Sequence, residues 1–289
     1  MNPSSNGETI PTNKLSPEAY LRKHHVLTYL EDALSQMVLQ ENIPRSTNES
    51  AKFLSEYFSS VLTENHVMFR GIAFVSATPH NRLAFLKGAR KSYQHLLKSN
   101  QQLSIQEIHS LLLLLCADMP IELIQRSFLN SGLTFAQPTA FSSFLTNFEL
   151  QFFLDEFLTD SIKIYRTLQA MNNSHMGSSD LSGPGGSRPG SAASTSSLSK
   201  GSSTLTNADS VDSTTFRDRL KQLVHTSKCN YPMPAMPALD EAFGSFQDHS
   251  RIKFSHFFNR LSQTRYIQSL LSSDGTNLSA SNRNFTVEN

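Results

Sequence analysis

SPEAYLRKHHVLTYLEDALSQMV, residues 16–38, decides the fold. Ser16-Pro17-Glu18 is a helix start: a capping hydroxyl, Pro at the first helical position, and an acid at the positive helix end. Val26, Leu27, Leu30, Ala33, Leu34, Met37 and Val38 then recur at three- and four-residue steps, the period of one helix face. Asn42-Ile43-Pro44 ends this helix. A second begins near Asn48 and carries Phe53, Leu54, Tyr57, Phe58, Val61 and Leu62. A two-helix unit of under about 50 residues rarely covers its own apolar surface. Its wide faces therefore need cover, from the rest of the chain or from a partner. The candidate partner-docking face is Leu27, Leu30, Leu34, Phe58 and Val61.

Helical signals continue downstream. Thr78-Pro79 opens a third helix with Leu83, Leu86, Tyr93, Leu96 and Leu97 inward. Ser104 and Glu107 make a capping box for a fourth, which runs to about Cys116. Asp118 and Pro120 start a fifth, stopped by Asn130-Ser131-Gly132. A long sixth is expected from Thr139 to Gln169, with Phe141, Phe144, Phe148, Phe152 and Phe157 along it. Val67 to Val75 is the only strand-like stretch. The expected class is all-α. The expected order is a disordered segment 1–15, a docking-type hairpin 16–66, a helical domain 67–171, a disordered Ser/Gly-rich linker 172–213, a small C-terminal helical segment 214–272 and a disordered tail 273–289.

Composition narrows the function. Among 289 residues, 25 Lys and Arg stand against 24 Asp and Glu, a net charge of +1. That balance argues against a general nucleic-acid binder or a polybasic membrane anchor. Leu111 to Ala117, the longest apolar run, is far short of the roughly 20 residues that span a bilayer. Cys116 and Cys229 alone cannot make a disulfide scaffold or a zinc cluster, and no secretory signal is visible before Lys14. A reducing intracellular compartment is expected. No P-loop, G-x-S-x-G, H-E-x-x-H or C-x-x-C is present, so no catalytic residue and no cofactor is assigned.

Three segments have the outline of an EF-hand loop running into its helix. Leu103 to Glu107 places Glu107 last, but counting back puts Leu96 and Lys98 where the ion needs carboxylates. Thr139 to Phe144 has Ser143 in the acidic place, and Ile252 to Phe257 has His256 there. These are EF-hand-like helices without calcium ligands, and no metal site is assigned. Ala77 to Arg82 has the look of a catalytic loop, yet Thr78 as a cap, Pro79 at the first helical position and Arg82 either solvated or buttressing the turn explain it. Lys87, Arg90, Lys91 and Lys98 give the third helix a basic edge, which either faces solvent or meets an acidic partner.

Two resemblances follow. The hairpin pattern resembles the dimerisation/docking hairpin of the protein kinase A regulatory subunits, where two hairpins form a bundle that accepts an amphipathic helix. That implies a hairpin-mediated dimer, and a kinase-anchoring type adaptor as the alternative function. More of the chain is similar to the centriolar satellite-associated tubulin polyglutamylase complex regulator family. The similarity lies in HVLTYLEDAL (25–34), EYFSSV (56–61), FRGIAFVSATPHNR (69–82), DMPIELIQR (118–126) and FSSFLTNFELQFFLDEFL (141–158). This second resemblance implies a non-catalytic regulator that supports assembly and stability of the polyglutamylase complex. The implied partners are a tubulin tyrosine ligase-like catalytic subunit, scaffold subunits and centriolar satellite proteins. The implied location is the cytoplasm and cytoskeleton, at the centrosome and centriolar satellites, with effects on microtubules and cilia. The Ser/Gly-rich linker and the short, nearly uncharged tail depart from the family pattern.

Overall fold

Local capping sets several helix starts. In a computed structural model that describes residues 16–39, 46–99, 101–176, 209–227 and 231–272, Ser16 Oγ accepts from Ala19 N (3.2 Å) and opens α1 (Pro17–Lys23). The chain then turns at His24-His25, where His25 takes a left-handed φ of 52°, before α2 (Val26–Leu39). The sequence reading had one helix through this point; the turn divides it. Ser46 caps α3 (Thr47–Leu62) by accepting from Glu49 N at 3.3 Å. The expected stop at Asn42-Ile43-Pro44 lies outside the described residues.

The chain forms two compact units, dividing between His66 and Val67. The second opens with α4 (Ile72–Val75), a single turn where a strand was expected. Asp118, expected to start the fifth helix, instead accepts from Ile72 N at 2.7 Å and so caps α4 from 46 residues away. Thr78 caps α5 (Pro79–Ser92), and α6 (Gln94–Ser99) follows. Next come β1 (Gln102–Leu103), α7 (Ile105–Leu113) behind the Ser104/Glu107 capping box, and α8 (Ile121–Ser131) with Pro120 at its N-cap. Gly132, at φ 82°, ends α8 in the left-handed conformation that glycine adopts without Cβ strain.

β2 (Thr139–Ala140) leads into α9 (Phe141–Phe153) and α10 (Asp155–Met176). The expected single long helix is broken at Leu154, which is fully buried. Arg82 holds the break: its Nη1 donates to the carbonyls of Phe152 (3.3 Å) and Phe153 (3.2 Å), and its guanidinium also pairs with Glu156. These are carbonyls that a helix end leaves without an intrahelical partner.

The segment expected as linker is entered by structure at both ends. α10 runs on to Met176, and β3 (Val211–Asp212) and α11 (Ser213–Thr226) begin before residue 214. Residues 177–208 lie outside the described residues. Asp212 caps α11 by accepting from Thr215 N at 2.7 Å. α12 (Met236–Phe243), β4 (Arg251–Ile252), α13 (Phe254–Ser262) and α14 (Arg265–Ser272) complete the unit.

The only described strands are these four dipeptides, paired antiparallel as β1–β2 and β3–β4. Leu103 faces Thr139, and Val211 faces Ile252. The fold is mostly helical, and the blocks before and after residues 177–208 share one core from Val67 to Ile267. Its keel on α9 is a run of rings, Phe141, Phe144, Phe148 and Phe152, with successive centroids 6.1, 5.5 and 5.6 Å apart. A second aromatic group joins Phe216, Phe243, Phe254 and Phe257 to Tyr165. Tyr165 Oη donates to the carbonyls of Asp209 (2.8 Å) and Ile252 (3.1 Å), and burial pushes the phenol up to about 12. Among the described residues, no helix is long and apolar enough to cross a membrane.

Candidate functional site: the N-terminal hairpin face

The first unit has a very small interior. Tyr29 and Ala33 on α2 meet Tyr57 and Val61 on α3, with Phe53, Leu54 and Phe58 half-buried around them. Tyr57 Oη donates to Asp32 Oδ2 at 2.7 Å, tying the two helices polar-end to polar-end. Tyr57 also meets Phe58 edge-on, with centroids 5.4 Å apart. At the α1–α2 turn, Tyr20 lies against the His24 ring, and burial together with His24 holds the His25 imidazole below its ordinary value.

α2 carries apolar residues around too wide an arc for one neighbour to cover. α3 takes the half that bears Tyr29 and Ala33. The other half stays open: Leu27 is 48% exposed, Leu34 56% and Val38 66%. These three sit at seven- and four-residue steps, one stripe of a 3.6-residue helix. Leu62 at the end of α3 is 83% exposed.

The structure therefore divides the five residues proposed from sequence. Leu27 and Leu34 are exposed, Leu30 and Phe58 are half-buried, and Val61 is buried inside the hairpin. Sequence periodicity could not tell which half of the arc the second helix would take. It missed Tyr29 as a core residue, and it missed Leu62 as exposed. It did carry the signal for Val38, which closes the exposed stripe.

The other candidates in the second unit turn out to be held in packing. Thr78 Oγ1 accepts from Asn81 N at 3.0 Å, and Asn81 Nδ2 donates to Phe74 O at 2.8 Å. Thr78, Asn81 and Arg82 are all buried, so the Ala77–Arg82 segment has the buttressing role rather than an open reactive group. On the basic edge, Arg90 grips the buried Glu149 through two bonds of 2.9 and 2.5 Å, while Lys91 and Lys98 face solvent. The Glu107 carboxylate is committed to Ser104, whose N–H and hydroxyl both donate to it at 2.8 Å; these bonds lower its pKa. Among the described residues, no group of three or more His, Cys, Asp or Glu could hold a metal ion.

Fold and surface together define a two-unit, mostly helical protein whose N-terminal hairpin presents an exposed apolar stripe. The model of the CSTPP1 N-terminal domain matches residues 13–63, the hairpin itself. Over 266 residues, 89% of this chain and 76% of the relative, the chain is 35% identical to the human centriolar satellite-associated tubulin polyglutamylase complex regulator 1. The protein of that name from Rattus norvegicus is 33% identical over the same span. The one from Bos taurus is 39% identical over 168 residues, 55% of this chain and 51% of the relative. The chain belongs to the family of centriolar satellite-associated tubulin polyglutamylase complex regulators. No solved structure matches it.

Proposed function

We propose that this chain is a non-catalytic regulatory and adaptor subunit that supports assembly and stability of a tubulin polyglutamylase complex. It would act at centriolar satellites and thereby tune microtubule polyglutamylation and the organisation of cilia and centrosome. Its partners would be the ligase-like catalytic subunit, scaffold subunits and satellite proteins. The observation that carries this reading is the open stripe Leu27, Leu34 and Val38 on a hairpin that is itself the family's N-terminal domain. Apolar surface left in water by a small unit is stabilised when a partner covers it.

In this reading the second unit is a rigid platform of EF-hand-like pairs. The support is its repeated order of loop, two-residue strand and helix, with the strands paired two by two. The hairpin, the platform helices 67–171 and the helices from 214 onward would then act as successive parts of one adaptor.

The test uses the full chain expressed in ciliated cells. Leu34→Glu places a carboxylate on the open stripe without touching the hairpin core; Glu31→Ala, also exposed on α2, is the control. Recovery of ligase-like and scaffold subunits with the parent chain and the control, and their loss with Leu34→Glu at unchanged helicity, is the expected result. Equal recovery by all three would overturn the docking face, and recovery of kinase-anchoring partners in place of the complex would overturn the function.

A further inference from the structure

The two strand ladders set four positions in register. Leu103, Thr139, Val211 and Ile252 pair across the ladders. Four residues beyond each, on the first turn of the following helix, stand Glu107, Ser143, Thr215 and His256. In the β4–α13 unit, the place that is acidic in the β1–α7 unit is thus taken by an imidazole.

The surroundings share that inversion. From His249 to Ser273 the sequence holds Arg251, Lys253, Arg260 and Arg265 and not one Asp or Glu, in a chain whose net charge is only +1. His256, Arg260 and Gln263 recur at four- and three-residue steps along the exposed side of α13. With Asn259 and Phe246 they line a cleft of about 420 Å³. The acids on α11 and α12 already have partners. Asp240 takes Lys221 at 2.5 Å, Glu241 accepts from Arg265 N at 3.1 Å, and Asp212 accepts from Thr215 and faces His249. Asp248 lies toward Arg217 at 3.8 Å. Arg260 pairs with no described carboxylate.

We propose that this cleft on α13 binds a carboxylate-rich peptide, a short run of glutamates, through Arg260 and His256. A guanidinium presents a planar fork that fits a carboxylate through two bonds, and the Gln263 amide lies beside it, while Asn259 Nδ2 donates to Ser131 O at 3.3 Å. The cleft is local and the chain as a whole is balanced in charge, unlike a surface that tracks a nucleic-acid backbone. The choice of glutamate as the acid rests on the polyglutamylase reading given above.

Fluorescently labelled deca-glutamate is titrated into the purified full chain and followed by anisotropy, with deca-glutamine as the uncharged probe. Arg260→Gln is expected to weaken deca-glutamate binding about tenfold, the loss of one charge-assisted contact. Lys91→Gln on α5 should change it less than about twofold, as a distant exposed charge does. His256→Gln is the second variant, read if Arg260→Gln lowers the melting temperature. Equal loss in Lys91→Gln and Arg260→Gln would show diffuse attraction and overturn the site. Absence of deca-glutamate binding, or equal binding of deca-glutamine, would overturn it too, as would displacement of the peptide by inorganic phosphate at equal concentration. Because the isolated chain is used, failure here leaves complex recovery by the hairpin unaffected, and failure of the hairpin test leaves this titration unaffected.

Discussion

Among the described residues of the N-terminal hairpin, the buried hydrophobic side chains are Tyr29, Ala33, Tyr57 and Val61, and four apolar residues of α2, Leu27, Leu34, Val38 and Leu39, stand open beside them. Among the described residues after Val67, nine phenylalanines are buried to below 2% exposure, including Phe85, Phe128, Phe144, Phe148 and Phe257. Both regions are made of capped, amphipathic helices of ordinary length. What separates them is how many neighbours each helix has. α9 is packed by α5, α6, α8, α10 and α13, so even Glu149 and Gln151 on it are enclosed. α2 meets α1 and α3, and a single antiparallel neighbour shades about half a helix. The second unit encloses a large interior while leaving Phe69, Leu114, Leu129, Phe135 and Met171 exposed, whereas the hairpin has a far smaller interior beside its open stripe.

That contrast can be broken at its strongest point first. Phe148→Ala removes the middle of the α9 ring run and should cost the second unit about 3–5 kcal/mol, read from urea unfolding. A loss below about 1 kcal/mol would mean that the ring run is not what holds this unit.

Next comes the clasp at the α9–α10 break. Arg82→Met leaves the carbonyls of Ser76, Phe152 and Phe153, and Glu156, without this donor. Breaking a buried pair typically costs about 3–5 kcal/mol, but the Glu156 side chain is 38% exposed and water will replace part of what is lost. About 2–3 kcal/mol is expected by the same measurement. A melting temperature equal to the parent's would remove the clasp from the account.

Inside the hairpin the stakes are smaller. Tyr57→Phe deletes the bond to Asp32 and keeps the ring, an expected loss of about 1 kcal/mol in thermal unfolding followed by circular dichroism. A loss as large as that of Phe148→Ala would erase the difference between the units.

The smallest effect is pH-dependent. The Ile72 N–H and the Cys116 thiol hold the Asp118 carboxyl below the usual carboxylate range. A carboxyl whose folded pKa is depressed stabilises the fold above its unfolded pKa and loses that contribution as pH falls through the folded one. Asp118→Ala should therefore cost about 0.5–1 kcal/mol near pH 7, as for a lost helix cap. The gap from the parent should close in acid; a gap constant down to pH 2 would show that the charge is not involved.

Much of this was legible where the physics is local. Ser16, Thr78, the Ser104/Glu107 box and Gly132 each act within a few residues of themselves, and the helices begin or end at them. Long-range bonds were invisible. Nothing near Leu154 in sequence announces that Arg82, about seventy residues earlier, will hold the break, and Asp118 sits beside Pro120 like an ordinary cap while serving α4. β3 was lost in a run of Ser and Thr, because Val211 alone carries its apolar signal and needs Ile252 across the ladder to count. At the hairpin, periodicity marked the apolar arc but not its division, which only the position of α3 decides.

Cys116 offers a practical handle on the larger unit. Its thiol is fully buried, donates to Asp118 Oδ1 at 3.2 Å, and is pushed up to about 12 by burial and that carboxylate. Only thiolate reacts with a maleimide, so in the closed state this sulfur is silent. In a Cys229→Ser background the slow labelling of Cys116 becomes a clock: each modified molecule records one visit to an opened state, and the labelling rate at increasing reagent separates how often the unit opens from how quickly it closes again.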